Sequence, residues 1–255
     1  MIGTFPFGQA VQKVEQEDRS PKRVFVLGVY ASAVHAQWVN EQGKTIVKAL
    51  AVASEPHIFW RGDRAGDIVN LIQVPTGLGK LIPADEQFNG PSGIALDKLI
   101  LKPQGMTRED AWLCDLVPHS CMNPAQEKAL EKEYYPLLEA YVLPSPTVPE
   151  VPAILTDEKR RQAILDELEV SRAEVLVLLG DKPVQWFLKY YDDRWQRLSD
   201  FQHYGELHSA RVGGKSIYVL PLAHPRQIAQ LGRSSRKWFD VHQAWLKQHA
   251  GERRV

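Results

Sequence analysis

Short apolar runs bounded by glycine, proline or charge recur along the chain, and polar stretches with helical spacing lie between them. Four runs predict strands: Arg23 to Gly28, residues 111 to 116, Glu174 to Gly180, and Ser216 to Leu222. Each is too short for a helix and rich in β-branched or aromatic residues, the mark of a strand buried on both faces. Helices are predicted between them. Asn123 caps one over Pro124 to Tyr135, and Asp157 to Val170 places Ile164, Leu165 and Leu168 on one face. Asp181 is positioned to cap a helix over Pro183 to Tyr190, and Ser234 or Ser235 a closing helix with Trp238, Val241 and Trp245 on one stripe. Strands alternating with helices predict a three-layer α/β/α fold around a central four-stranded, mostly parallel sheet.

Two stretches interrupt this alternation. Residues 31 to 87 read as an insertion after the first strand, with a helix starting over Val34 to Val39 and a β-rich segment over Lys44 to Ala53. Leu143 to Pro152 carries four prolines in ten residues, which predicts an extended surface crossing within a single domain spanning 1 to 255. Residues 1 to 20 read as an arm packed on that domain.

The stretch from Phe88 to Pro118 gathers the features that suggest chemistry. A tight Gly90-Pro91-Ser92-Gly93 turn precedes a helix that Ser92 can cap, with N–H groups suited to an anionic ligand. The strand that follows ends in Asp115 among apolar neighbours. In a parallel sheet every strand delivers its last polar residues to the same edge, where such sheets bind ligands. Tyr30, Asp115, Asp181 and His224 would meet there.

Composition narrows the picture only slightly. Of 255 residues, 44% are apolar and 24% charged, ordinary values for a soluble globular protein, and no run is long enough to span a membrane. A cytoplasmic protein without a membrane partner is the default expectation. The 31 basic residues balance 31 acidic ones, so any nucleic-acid surface must be local. Cys114 and Cys121 are the only cysteines, which excludes a four-cysteine metal or iron–sulfur site within one chain. No metal, cofactor or histidine cluster with ligand spacing is expected, and His35 reads as structural.

Gly90-Pro91-Ser92-Gly93, Leu96-Asp97-x-Leu99, Gly105-x-x-Arg108-Glu109-Asp110 with its following strand, and His224-Pro225 together resemble the uracil-DNA glycosylase superfamily. The nearest likeness is to its family 4 branch, without that branch's iron–sulfur cysteines. The resemblance covers 23–29, 88–118, 174–188 and 216–245, with 31–87 outside it. It implies a monomer that flips a damaged or non-standard base out of single- or double-stranded DNA and hydrolyses its N-glycosidic bond. It places Phe88 where a ring stacks on the base, Asp115 where an asparagine reads the base edge, and His224 where a histidine stabilises the departing base. Gly28, Asn89, Gly90 and Ser92 would complete the substrate site. Arg226, Arg233, Ser234, Ser235 and Arg236 would contact phosphates, with Ile228 or Leu231 as an apolar wedge.

The chain departs from that pattern twice. Val29 and Tyr30 stand where active families carry a water-activating acid, and a tyrosine keeps its proton near neutrality. Tyr30 is therefore a weak catalytic candidate beside His224 and Asp115, with His35, Asp85 or Glu86 as other sources of a base. Asp115 replaces an amide: an ionised carboxylate only accepts hydrogen bonds, which favours an amino-bearing base over uracil. A non-catalytic member that binds nucleotides or nucleic acid is the alternative reading, and a small-molecule enzyme holding a phosphate in the Gly90 turn is a third.

Overall fold

The computed structural model describes residues 1–231 and 236–249. Its strands are β1 (Val24–Tyr30), β2 (Ala33–Val39), β3 (Thr45–Ser54), β4 (Lys80–Pro83), β5 (Ala111–Val117), β6 (Val175–Leu179), β7 (His208–Val212) and β8 (Lys215–Leu222). Its α-helices are α1 (Ala65–Asn70), α2 (Pro91–Ala95), α3 (Pro124–Ala129), α4 (Glu158–Ser171), α5 (Asp181–Trp186), α6 (Pro225–Ile228) and α7 (Arg236–His249). They divide between two units. One comprises Met1–Val14, Ala31–Pro91 and His119–Ala153; the other comprises Glu15–Tyr30, Ser92–Pro118 and Ile154–Val255.

The second unit holds a five-stranded sheet in the order β5-β1-β6-β8-β7. The first four strands are parallel and are the four that the apolar runs predict. The fifth, β7, is added antiparallel to β8 through a turn at Gly213 and Gly214, both at positive φ. Helices flank this sheet, with α4 against β5 and β1, and α5 against β1 and β6. All of β6 is buried, as expected of a central strand covered on both faces. The chain lays β5 on one side of β1, then returns to lay β6 and β8 on the other. That reversal puts a crevice outside the carboxyl ends of β1 and β6.

The helix that opens with α2 runs on through a π-helical stretch, Leu96–Leu101, to Gln104. It begins at Pro91, so Ser92 lies inside the first turn rather than at the cap; proline, with its fixed φ and missing N–H, is suited to that first position. Asp181 is likewise not a side-chain cap. Its carboxylate accepts from the Leu198 N–H at 2.7 Å, and Gly180 at φ 89° precedes the helix instead.

The first unit is built on the antiparallel sheet β3-β2-β4. The helix predicted over Val34 to Val39 is instead the central strand β2. Val34, Ala36 and Trp38 face the core while His35 and Gln37 alternate outward, the period of a strand. Phe7, Trp38 and Tyr134 pack edge to face beneath it, with ring centroids 5.2–6.2 Å apart. The Tyr134 hydroxyl accepts from the Phe7 N–H and donates to the Pro144 carbonyl. The proline-rich stretch runs extended within this unit, Thr147 donating to the Thr4 carbonyl at 2.8 Å.

Candidate active site at the carboxyl ends of the parallel strands

Register across the second unit's sheet brings the candidate side chains to one edge. Asp115 on β5 pairs with Gly28 on β1; one residue earlier Leu27 pairs with Leu178 on β6, and Leu179 pairs with Leu222 on β8. His224 follows two residues after Leu222. Three strand spacings of about 4.8 Å, ~14 Å in all, separate the β5 and β8 backbones at that level. Between them lie the ends of β1, at Tyr30, and of β6, at Gly180. Tyr30 is 42% exposed at its strand's end.

His224 is half-buried, and its protonation is set by its neighbours. Its ring Nδ1 accepts from the Arg226 N–H at 3.2 Å, and its own N–H donates to the Gln227 side-chain oxygen at 3.3 Å, a reciprocal cap on α6. A ring whose Nδ1 accepts carries its single proton on Nε2. Burial, assisted by the positive charge of Arg226, pulls its pKa down to about 4. His224 is therefore a neutral imidazole with an Nε2–H to donate. Gly180 makes room beside it: a Cβ there would lie 3.4 Å from the His224 Cβ, on a backbone at φ 89°.

The turn carrying His224 is braced from behind by a chain of three side-chain hydrogen bonds. The Ala223 N–H donates to the Tyr204 hydroxyl at 3.1 Å, that hydroxyl donates to His242 Nδ1 at 2.6 Å, and His242 Nε2–H donates to the Leu99 carbonyl at 2.8 Å. The last acceptor is available because Pro103, four residues on, has no N–H to offer it. The helix passes this point in π form, with Lys102 donating to the Asp97 carbonyl five residues back. Burial raises the Tyr204 pKa and lowers that of His242 to about 4, which keeps both neutral.

Asp115 is 3% exposed. It does not pair with Arg108, which bonds Asp97 at 2.8 Å. Its carboxylate accepts from the Val29 N–H, and the cation acting on it is Arg160 on α4. That guanidinium donates to the Asp115 and Leu116 carbonyls at 2.6 and 3.1 Å and to Glu167 at 3.3 Å, so it bonds the main chain of Asp115 rather than its carboxyl. Glu167 in turn accepts from the Trp112 indole. Burial pushes the Asp115 pKa up to about 7 against the pull of Arg160. The carboxyl is thus divided between acid and carboxylate at neutrality, where its sequence context had suggested full ionisation.

The remaining candidates fall differently. Ile228 is fully buried and packs in the core, so it presents no wedge; Leu231 is half-buried. Arg226 is exposed, and Arg236 is exposed but pairs with Asp240 at 3.5 Å, one turn along α7. Arg233, Ser234 and Ser235 lie outside the described residues. Phe88, Asn89 and Gly90 belong to the first unit. There Phe88 is half-buried, while the Asn89 amide is fully engaged with its own unit. It accepts from the His35 N–H at 2.8 Å and donates to the carbonyls of His35 and Ala84, which makes it a structural pin rather than a ligand group. Gly90, at φ 74°, lets its backbone touch that of Arg61, where a Cβ would lie 2.0 Å from the carbonyl carbon.

Sequence reasoning missed Arg160, Tyr204 and His242. Only His242 left a signal, since helical spacing puts it on the same face as Trp238 and Trp245. Among the described residues no cluster of His, Cys, Asp or Glu could hold a metal ion, and no helix is long and apolar enough to cross a membrane. Residues 84–247 match the uracil DNA glycosylase superfamily. Among curated proteins no relative matches the chain.

Proposed function

Because the chain belongs to the uracil DNA glycosylase superfamily, we propose that it hydrolyses the N-glycosidic bond of a non-standard base flipped out of DNA, in the manner of the family 4 branch but without an iron–sulfur cluster. The observation that carries this reading is His224. It is a neutral imidazole at the carboxyl edge of the sheet, its Nδ1 occupied by main chain and its Nε2–H free of any need to ionise. Breaking the C1′–N bond sends the electron pair to the base, where it delocalises onto a ring carbonyl oxygen. A fixed N–H aimed at that oxygen strengthens as charge develops, and one such donor contributes on the order of 10²–10³ in rate. Water then adds to C1′ and loses a proton, while the departing base nitrogen gains one.

Tyr30, at the end of β1, is a poor base for that water, so the proposed enzyme leans on stabilisation of the leaving group. Gly28 and Ser92 are assigned to the base pocket, and Arg226 and Leu231 to the strand around the flipped nucleotide. The same lack of a carboxylate at Val29 and Tyr30 favours the second reading, a non-catalytic member that binds nucleic acid.

A screen of labelled single- and double-stranded oligonucleotides, each with one uracil, hypoxanthine, xanthine or alkylated base, tests the proposal. Base release that falls ~10²–10³-fold in His224→Ala is the expected result. Binding without release from every substrate would establish the second reading.

A further inference from the structure

Asp115 lies beside Gly28 near the carboxyl edge of the parallel strands, and its surroundings are unusual for a carboxylate. It is buried near the end of β5, and its carboxyl receives a main-chain hydrogen bond from Val29. The element behind it, α4, brings Arg160 and Glu167, which pair with each other at 3.3 Å. Arg160 spends its other donors on the carbonyls of Asp115 and Leu116 and on the Cys114 sulfur. From β1 comes the uncharged Val29 main chain. On β5 itself Cys114 is held protonated by burial. A carboxyl placed this way, with the cation that acts on it already paired to Glu167, gains little by ionising.

We propose that Asp115 reads the base as a carboxylic acid, so that the site selects bases whose edge sets a ring N–H beside a carbonyl, as uracil and hypoxanthine do. This rests on the glycosylase reading of the pocket. The acid form has one acceptor oxygen and one O–H donor, the same pair that an asparagine amide offers, and it closes two hydrogen bonds with such a lactam edge. Ionised, the group keeps only acceptors and repels the base carbonyl. Recognition is therefore present when the carboxyl holds its proton and is lost as pH rises through the Asp115 pKa, which burial places at about 7. His224 and His242, both pulled down to about 4, contribute no change over that range.

The test uses the full chain and single-stranded oligonucleotides carrying one 2′-fluorinated deoxyuridine or deoxyinosine, whose glycosidic bonds resist cleavage, against the same strand with an abasic analogue. Fluorescence anisotropy gives the preference for base over abasic site at each pH. The expected preference is constant below about pH 6 and falls about tenfold between about pH 7.5 and 8.5, the slope of one proton. Asp115→Asn keeps its preference throughout. In the wild type, carbon NMR of the Asp115 carboxyl titrates near neutrality and shifts upward when the uracil strand binds, a readout that survives if the variant fails to fold.

A wild-type preference that does not change with pH overturns the proposal, as does an Asp115→Asn profile that tracks the wild type. If base release is observed with either of those outcomes, the glycosylase reading stands and this inference alone falls. No preference for a base at any pH, together with no release, removes both.

Discussion

Replacing Asp115 by asparagine keeps the shape of the side chain and removes its titration, so the variant isolates what the buried proton does to stability. The folded pKa of about 7 lies above the ordinary 3.8. The folded state therefore binds more protons in that interval, and the stabilisation present below about pH 4 is lost as pH rises through 7. Asp115→Asn should gain on the wild type by ~2–3 kcal/mol between about pH 5 and 8, read by urea unfolding at each pH. His224 and His242 act in the opposite sense. Their folded pKa values lie below the ordinary 6.5, so stability present above that value is lost as pH falls through about 4. Tyr204→Phe preserves the half-buried ring but leaves the Ala223 N–H and His242 Nδ1 unpaired. It should cost about 1–3 kcal/mol in unfolding free energy, and base release should fall by more than the lost folded fraction explains.

At the scale of elements, what the sequence made legible was whatever packing alone decides. The four parallel strands stand out because burial on both faces demands unbroken apolar runs, as in Val175–Leu179. The edge strand β7 escaped notice because a strand covered on one face needs only alternate apolar residues, and here those are Ala210 and Val212. The alternation of Val34, Ala36 and Trp38 was present, but alanine and glutamine in the same stretch also suit a helix. Asp115 and His224 stood out as candidates because one lies near the end of an apolar strand and the other just after one. Arg160 was not, because nothing in Lys159-Arg160-Arg161 tells which basic residue turns inward. Gly180 shows how an element junction shapes the site. Its N–H donates to the Leu222 carbonyl at 2.7 Å, tying the end of β6 to that of β8. Gly180→Ala forces a side chain onto φ 89° beside His224, at a cost of about 1–2 kcal/mol in stability. Denaturant unfolding would show that loss, and the oligonucleotide screen a larger loss of activity.

For the whole molecule, a formal charge of zero means that the proposed affinity for DNA would come from few local contacts. Binding should therefore weaken only modestly with salt, and Arg226→Ala should lower the slope of log affinity against log salt by about one, measured by anisotropy across a salt series. Arg236, already paired with Asp240, should change it less. The family match opens at residue 84, after β1, although β1 is an interior strand of the sheet, between β5 and β6. The bracing behind His224 also joins distant parts of the sequence, Leu99, Tyr204, Ala223 and His242. Since His242 is the last of these to leave the ribosome, the parallel strands can pair during synthesis while the His224 turn still lacks its support. A nascent chain stopped short of α7 would hold its parallel strands without the brace behind His224, so the helix made last completes a turn whose strand is made earlier.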